Sequence, residues 1–161
     1  MIVDGMSGLV HSINISNGGV PKTPVDEAKL VQGGLDGDFN RFRSENRSGD
    51  PDRAVCLFSL ERIQDLQKEG HPIMVGSTGE NVTISGIDWS SMRVGMRIAI
   101  GEAKIELSEP CAPCGKIGGS FSGRSFSRID HDMEQGWSRW LARVVEEGTI
   151  STGDAVNIVI T

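Results

Sequence analysis

Residues 96–107 read Met96-Arg97-Ile98-Ala99-Ile100-Gly101-Glu102-Ala103-Lys104-Ile105-Glu106-Leu107. Apolar side chains occupy every second position on both sides of Gly101-Glu102, which is the period of a β-strand that buries one face. A glycine at the first position of a two-residue loop fits a type II′ turn. The segment therefore predicts a β-hairpin and favours a fold built mainly from strands.

The second strand of this hairpin leads into a loop that carries two thiols. Residues 108–117 read Ser108-Glu109-Pro110-Cys111-Ala112-Pro113-Cys114-Gly115-Lys116-Ile117. Each proline fixes its own φ and pushes the preceding residue toward an extended conformation, so the backbone between the cysteines is pre-shaped. Lys116 lies two residues beyond Cys114, and a nearby cation favours the thiolate, which is the form that acts as a nucleophile or a metal ligand. Cys114 is therefore the first candidate site residue, with Cys111 beside it.

The pair at Cys-x-x-Cys spacing fits three interpretations: inert thiols, a redox dithiol, or half of a zinc site. Cysteine without a disulfide often behaves as a small buried hydrophobe, and Cys56, within the apolar run 54–58, is assigned to that class. A zinc site would need a second cysteine pair or histidines at ligand spacing, and the three histidines are scattered singly. A thioredoxin-like motif should open a helix, which glycines at positions 115, 118 and 119 disfavour.

Length and charge set broad limits on the protein's class. A chain of 161 residues is expected to form a single domain over 1–161. Sixteen basic and 22 acidic residues give a net charge of −6 with no basic run, which disfavours nucleic-acid binding. Cysteine usage and an N-terminus without a basic segment and apolar core predict a cytoplasmic location. The apolar runs are far shorter than the roughly 20 residues that cross a bilayer, so no membrane span is expected.

Period-two patterns predict further strands along the chain. Gly8–Ser16 places Leu9, His11, Ile13 and Ile15 on one predicted face and ends at the turn Asn17-Gly18-Gly19. Strands are also predicted over residues 54–58, 81–85, 143–145 and from 154 through Ile160.

Two short helices are predicted between the strands. Ser59 caps a helix that buries Leu60, Ile63 and Leu66 and ends at Gly70. A second helix is predicted from about Ser127 to Gly136, although the residues after it, 137–145, fit helical and strand spacing equally well. At least six strands and two short helices favour a mainly β fold, a closed or nearly closed single-domain β-barrel.

Residues 39–53 carry Arg41, Arg43, Arg47 and Arg53 among many carboxylates and have few apolar side chains. Such a mixed-charge run predicts a solvated loop. Arg53 alone stands at the threshold of the next strand, where a loop arginine can reach an anionic ligand.

Five short motifs, taken in order, resemble those of the MOSC domain. This family is the C-terminal module of molybdenum cofactor sulfurases and also occurs as small stand-alone proteins. The resemblance runs over nearly the whole chain and implies a mostly β barrel. The motifs are Gly34-Leu35-Asp36-Gly37-Asp38, Pro51-Asp52-Arg53-Ala54-Val55, Gly79-Glu80-Asn81, Glu109-Pro110-Cys111-Ala112-Pro113-Cys114, and Arg143-Val144 with Gly148 and Gly153-Asp154.

The resemblance implies a molybdenum cofactor, a pterin whose dithiolene holds the metal. Cys114 matches the family's loop cysteine and is the implied molybdenum ligand and catalytic residue. The resemblance implies cofactor-binding roles for Lys22, Arg53 and Asn81. Lys116, close to Cys114 in the chain, is also predicted to bind the cofactor. Histidines that many members carry near the second motif are absent here, where the chain reads Asp38-Phe39-Asn40-Arg41 and Ser48-Gly49-Asp50. The pyridoxal-phosphate domain of large members does not fit in 161 residues, so pyridoxal phosphate is not expected on this chain.

Three functions follow as hypotheses from the resemblance and the loop chemistry. The first is a reductase of N-hydroxylated small molecules that uses a cysteine-ligated molybdenum-pterin. The second is a sulfur carrier in which Cys114 receives a persulfide and Cys111 releases it by disulfide exchange. The third is a non-catalytic binding module. The implied partners are a small-molecule substrate, a cysteine desulfurase or an electron-donor protein, and a second copy of the chain in a homodimer.

Overall fold

The computed structural model describes residues 6–16, 20–37 and 50–159. The predicted turn at 17–19, the arginines at positions 41, 43 and 47, and Ile160 lie outside the described residues.

The described residues contain eleven strands and one α-helix. The helix is α1 (Leu60–Lys68), and short 3₁₀ helices lie at Pro51–Arg53, Trp89–Ser91, Gly115–Ser120, Ser122–Arg124 and Phe126–Ile129. The strands are β1 (Ser7–Ile15), β2 (Thr23–Val25), β3 (Glu27–Val31), β4 (Gly34–Leu35), β5 (Val55–Ser59), β6 (Val82–Ser85), β7 (Arg97–Ile100), β8 (Ala103–Cys111), β9 (Arg139–Glu146), β10 (Gly148–Ser151) and β11 (Ala155–Val159). Within the described parts of the chain, no helix is both long and apolar enough to span a membrane.

Seven of the strands close into a barrel. They follow the order β11-β7-β8-β9-β5-β6-β1, and β1 pairs back onto β11 to complete the ring. The barrel ladders are antiparallel except that between β5 and β6, which is parallel and is connected through α1. β2 extends the sheet beside β1, and β10, β3 and β4 form a small second sheet. The prediction of a mainly β, barrel-type fold is confirmed.

The 96–107 hairpin forms as predicted, with Ile100 opposite Ala103. Gly101 has φ +52, and a Cβ at this position would collide with the Asp154 carboxylate, so glycine is required there on both counts. The alternating apolar side chains of β7 and β8 point into the barrel, and Ile98, Ile105 and Leu107 are fully buried.

The predicted buried face of β1 is partly wrong. Leu9 is 53% exposed and His11 is also exposed, whereas Val10 and Ile13 are buried. The register with β6 shifts between Val10 and Ser12, so His11 is the extra residue of a β-bulge. The bulge interrupts the two-residue period, and the residues on its two sides therefore bury opposite phases of the alternation.

Helix α1 begins where the sequence predicts. Ser59 caps it, since its Oγ accepts a hydrogen bond from the Arg62 backbone N at 3.2 Å. Ile63 and Leu66 are buried, and the chain leaves the helix through Gly70 at φ +100.

The helix predicted over 127–136 is wrong. Only Phe126–Ile129 is helical, as a 3₁₀ turn, and Met133 is 72% exposed instead of stacking on Ile129. The Arg128 guanidinium pairs with Glu69 at 2.9 Å and lies 3.9 Å from the Trp137 ring centroid. These tertiary contacts hold the segment in turns, and β9 then begins at Arg139, earlier than the predicted strand over 143–145.

Candidate functional site

The two thiols of the predicted loop lie at the end of β8. Cys111 is the last residue of that strand and is 9% exposed. Cys114 is exposed and has an extended backbone, with φ −144 and ψ 174, immediately before the 3₁₀ helix at 115–120. The expectation that the glycines after the pair disfavour an α-helix is confirmed. The loop therefore presents one thiol outward and keeps the other inside.

A buried arginine lies opposite Cys111. Arg139 begins β9, is 6% exposed, and is paired with Cys111 in the β8–β9 register. Its guanidinium donates from Nη1 to the Thr78 carbonyl at 2.6 Å and from Nη2 to the Ala112 carbonyl at 3.3 Å. Within residues 6–16, 20–37 and 50–159, its buried Nε has no hydrogen-bond partner. Arg139 thus ties the thiol loop to the loop before β6, and the sequence interpretation missed it.

A second buried thiol lies beneath the loop. Cys56 on β5 is paired with Leu141 of β9, and Cys56, Cys111 and Leu141 form an apolar cluster separate from the main core. The Cys56 and Cys111 side chains are therefore neighbours on one face of the sheet. Cys56 is buried as expected, but its contact with Cys111 gives it a place in the site that the sequence did not indicate.

The surroundings of Cys111 favour its thiolate. The neighbouring Cys56 side chain is the largest cause, and with the positive charges of Arg139 and Arg53 it lowers the pKa of Cys111 to about 6 against the effects of burial and of Glu109. The pKa of Cys56 is raised well above its usual value, because the Cys111 side chain lies beside it and because it is buried. These surroundings favour the thiolate form of Cys111 and the thiol form of Cys56.

The loop before β6 is built around a buried carboxylate. Glu80 is fully buried and accepts hydrogen bonds from the Gly76 backbone N at 3.0 Å, the Thr78 hydroxyl at 2.8 Å and the Thr83 hydroxyl at 3.2 Å. These bonds hold the turn that presents the Thr78 carbonyl, and that carbonyl accepts the hydrogen bond from Arg139. The predicted Gly79-Glu80-Asn81 motif thus forms a turn whose carboxylate points inward.

Asn81 holds the backbone of the strand residue Cys56 through two hydrogen bonds. Its side-chain Oδ1 accepts a hydrogen bond from the Cys56 backbone N at 2.9 Å, and its backbone N donates to the Cys56 carbonyl at 2.7 Å. Asn81 is 4% exposed. Its amide oxygen is thus used to fix β5 in place, and its implied role in binding the cofactor stays a prediction.

The three predicted cations, Arg53, Lys22 and Lys116, differ in exposure and in the contacts that they make. Arg53 donates to the Glu109 carboxylate at 2.7 Å and contributes to the positive field at Cys111. Lys22 is 7% exposed, and its backbone N donates to the Gly76 carbonyl at 2.9 Å. Lys116 is exposed and belongs to the 3₁₀ helix that follows Cys114.

A groove of about 510 Å³ opens beside Lys116. Its polar side contains Ser120, whose hydroxyl donates to the Ser77 hydroxyl at 2.7 Å. Its apolar wall consists of Val20, Pro21, Pro72, Met74, Val75 and Ile117. The groove lies between the loop before β6 and the 3₁₀ helix that follows Cys114, and its lining includes Lys116 but not Cys114.

Comparison with known proteins places this arrangement in a family. The family model described as the MOSC domain matches residues 44–157. Protein YiiM of Escherichia coli (strain K12) is 27% identical over 145 residues, which cover 87% of this chain and 63% of YiiM. Uncharacterized protein YflK of Bacillus subtilis (strain 168) is 28% identical over 106 residues, covering 65% of this chain and 47% of YflK. The chain thus spans less than two thirds of the length of either relative.

The solved structures agree with the sequence matches. A crystal structure described as that of a hypothetical protein superposes with a TM-score of 0.74 at 25% identity, over 98% of this chain and 70% of the other. The family is associated with binding of the molybdenum cofactor. The match extends over most of the chain and includes the hairpin, the thiol loop and β9, and the chain therefore belongs to the MOSC domain family.

Proposed function

We propose that the protein binds the molybdenum cofactor and that the Cys114 thiolate is a ligand of the metal. The observation that carries the proposal is an exposed thiol at the end of β8, held by a proline-shaped loop. Soft thiolate ligands suit a sulfur-coordinated redox metal. Family membership supports the same cofactor.

The residues around the loop fit an anionic pterin cofactor. The buried Nε of Arg139 is a donor without a partner among the described residues, and it belongs to the guanidinium that braces Ala112 of the thiol loop. Lys22, Arg53 and Lys116 would hold the phosphate and the pterin. Asn81 would act from below by fixing the strand that carries Cys56.

The activity we propose is reduction of N-hydroxylated small molecules, with an electron-donor protein as partner. When bound, the metal supplies the two-electron chemistry that an N–O reduction requires. The chain positions the Cys114 sulfur and receives the substrate in the groove beside Lys116, whose apolar wall excludes water from one side.

Metal and pterin content tests the ligand assignment. Wild type, Cys114→Ser and the matched control Cys111→Ser are produced in a host with intact molybdenum cofactor synthesis. We expect about one molybdenum per chain in the wild type and the control and none in Cys114→Ser, with unchanged thermal unfolding. Molybdenum retained by Cys114→Ser would refute the ligand role. Reduction of hydroxylamine-type compounds by the loaded wild type tests the activity.

A second candidate function is sulfur transfer, which two cysteines on one loop favour, one exposed and one with a lowered pKa. In this reaction Cys114 carries a persulfide, and the Cys111 thiolate attacks its inner sulfur, the Sγ atom of Cys114. A Cys111–Cys114 disulfide forms, the outer S–S bond breaks, and its electron pair leaves on HS⁻. Incubation with a cysteine desulfurase and cysteine should add the mass of one sulfur atom at Cys114. An unchanged mass would eliminate this candidate.

A further inference from the structure

We propose that His71 is the positioning residue of the groove beside Lys116: its neutral imidazole holds the two walls of the groove together, and its protonation releases one of them. The inference rests on the proposed function only for the use of the groove as the substrate site. Its structural basis is the set of contacts that His71 makes with Ser122 and Phe121, here called the His71 clasp. Small molecules in the groove should therefore bind less tightly in acid than at neutral pH.

The first wall of the groove follows α1 and is anchored on that helix. The His71 backbone N donates to the Leu66 carbonyl at 3.1 Å, and Gln67 Nε2 donates to the Ile73 carbonyl at 2.9 Å. The Ile73 side chain is buried in the core. This wall is therefore fixed to the body of the protein. Its lining residues are Pro72, Met74, Val75 and Ser77.

The second wall is the 3₁₀ helix that follows the thiol loop. The Ser120 hydroxyl ties it to the Ser77 hydroxyl of the first wall at 2.7 Å. Immediately after this helix, the Ser122 backbone N donates to His71 Nδ1 at 3.1 Å, and the Phe121 ring packs edge-on against the His71 ring with centroids 5.3 Å apart. The clasp therefore joins the end of the second wall to the first. The lining residues of the second wall are Lys116, Ile117, Gly119 and Ser120.

The bond from Ser122 requires one protonation state of His71. A backbone N–H can donate to Nδ1 only while this nitrogen keeps its lone pair, so the proton of the neutral ring lies on Nε2. A second proton would occupy Nδ1 and place one donor against another. Protonation of His71 therefore breaks the clasp, and histidine is the side chain that gains its proton at mildly acid pH.

The charged groups around His71 come from several elements. Glu69, at the end of α1, lies 3.6 Å from His71 Nε2 and attracts the protonated ring. Arg128, from the 3₁₀ helix at 126–129, opposes that charge, but it is paired with Glu69 at 2.9 Å and with Glu134 at 3.0 Å. The hydrogen bond from Arg128 is the largest cause of the lowered pKa of Glu69. An ionised carboxylate thus stands beside the ring as it gains its proton.

Release of the clasp affects binding because a small molecule in the groove contacts both walls. A site whose walls are already in place does not have to be ordered when the molecule binds, and this saves affinity. Without the clasp, the second wall keeps the Ser77–Ser120 bond but loses the support at its end.

Hydrogen exchange of the Ser122 amide, measured by NMR and corrected for the exchange rate of an unstructured chain, tests the clasp without a ligand. We expect the protection of this amide to fall roughly three- to tenfold from about pH 8 to about pH 5. His71→Asn keeps an acceptor near the position of Nδ1 and gains no proton, so its protection should not vary with pH. His71→Phe keeps a ring beside Phe121 but has no acceptor, and its protection should be low throughout.

His11→Asn is the control, because it replaces an exposed histidine in the β1 bulge and should keep the wild-type profile. The ¹⁵N shifts of the His71 ring should place the proton of the neutral form on Nε2. The inference would be overturned by a proton on Nδ1, by wild-type Ser122 protection that does not change with pH, or by full protection in His71→Phe.

Binding of benzamidoxime, an N-hydroxylated compound with an apolar ring, connects the clasp to the groove. For the full chain from the host with intact molybdenum cofactor synthesis, calorimetry should show wild-type affinity falling about threefold or more from about pH 8 to about pH 5. His71→Asn should show no such loss, and it corrects for protonation of the ligand itself. Equal pH dependence in the two proteins would overturn the positioning role.

Failure of this inference is distinguishable from failure of the proposed function. If benzamidoxime binds neither protein while the Ser122 amide behaves as expected, the clasp stands and the groove is not the substrate site. If benzamidoxime binds and is reduced while Ser122 protection is independent of pH, the proposed function stands and the role of His71 is wrong.

Discussion

At the scale of single residues, the site depends on an arginine that occupies a position where charge is rarely found. Arg139 is almost fully buried at the start of β9 and donates to carbonyls in two separate loops. In the β8–β9 register, Arg139 lies directly opposite Cys111. Its own pKa is raised despite its burial, because its attraction to Cys111, Glu80 and the other acidic groups nearby outweighs the loss of solvation.

Arg139→Met should therefore destabilise the protein and raise the pKa of Cys111. The buried Thr78 carbonyl and the partly buried Ala112 carbonyl would lose their partner and Cys111 a facing positive charge, which costs on the order of 3 kcal/mol in the free energy of unfolding. Urea unfolding measures the first effect, and thiolate absorbance measures the second.

The matched control for Arg139 lies four residues further along the same strand. Arg143 has a half-exposed side chain that pairs with Asp52 and Glu106. Surface ion pairs contribute about 0–1 kcal/mol, so Arg143→Met should cost much less than Arg139→Met and leave Cys111 unchanged. Equal losses in the two variants would contradict the role we give to Arg139.

Sequence reasoning found the residues of the site that are close together in the chain and missed those that the fold brings in. Cys111 and Cys114 share one proline-containing loop, so their spacing alone identifies them as candidates. Cys56 and Arg139 reach that loop only through the β5–β9–β8 register, which no local pattern encodes. The one available signal was Arg139 itself, a charge at the head of the largely apolar run 140–145.

At the scale of elements, the outer face of β7, β8 and β9 is joined by ion pairs centred on Glu106. Its carboxylate accepts from Arg97 Nε at 3.0 Å and from the Arg143 guanidinium. Hydrogen bonds from Arg143 first and Arg97 second lower the pKa of Glu106. The three strands of the hairpin region are thus linked by a carboxylate that folding favours in its ionised form.

Glu106→Gln should reduce stability at neutral pH and have little effect in acid. Because the folded pKa of Glu106 lies below its unfolded value, its contribution is full above the unfolded pKa of about 4.3 and is lost as pH falls through the folded pKa. The arginines are about half exposed, so we expect a loss of about 1 kcal/mol at pH 7. Urea unfolding at neutral and strongly acid pH measures both values.

Glu146→Gln is the control for this pair of measurements. Glu146 is 62% exposed and lies 3.5 Å from Lys104, so its substitution should change stability little at either pH. A Glu106→Gln deficit that persists undiminished below the folded pKa would show that packing, and not charge, causes it.

Elements governed by local rules were predictable, and those governed by tertiary contacts were not. The Gly101-Glu102 hairpin and the Ser59 cap follow from turn and capping chemistry, and both appear as predicted. Residues 127–136 carry helical spacing, yet the Arg128 guanidinium pairs with the distant Glu69 and packs on the ring of Trp137, just after the segment. The prediction of which face of β1 is buried was wrong for a different reason, since a single bulge residue, His11, reverses the alternation.

At the scale of the whole molecule, the barrel places the site by joining distant strands. The number of alternating segments predicts a barrel, but neither the parallel β5–β6 ladder nor the closure of β1 onto β11 can be read from any one segment. Closure matters to the site because it fixes β6, and β6 fixes β5 with its Cys56. A substitution that disturbs the pairing of β1 with β11 should therefore also alter the surroundings of the buried thiols.

Gly8 is the residue at which closure can be tested. It is opposite Val156 of β11, and a Cβ at this position would collide with the backbone oxygen of Ser85 at the end of β6. Gly8→Ala must push one neighbouring strand away, and we expect it to lower the free energy of unfolding by about 1–3 kcal/mol. Amide hydrogen exchange should accelerate first in β1 and β11, where the ring closes.

Gly33→Ala separates this steric effect from the general cost of replacing a glycine. A Cβ at Gly33 meets no atom within 4 Å, so its substitution should leave stability within about 0.5 kcal/mol of the wild type. If Gly8→Ala is equally neutral, the strands at the closure have room to separate and the ring is not the constraint on β5 and β6. If it is destabilising and also shifts the ionisation midpoint of Cys111, the closed barrel is part of what holds the two buried thiols together.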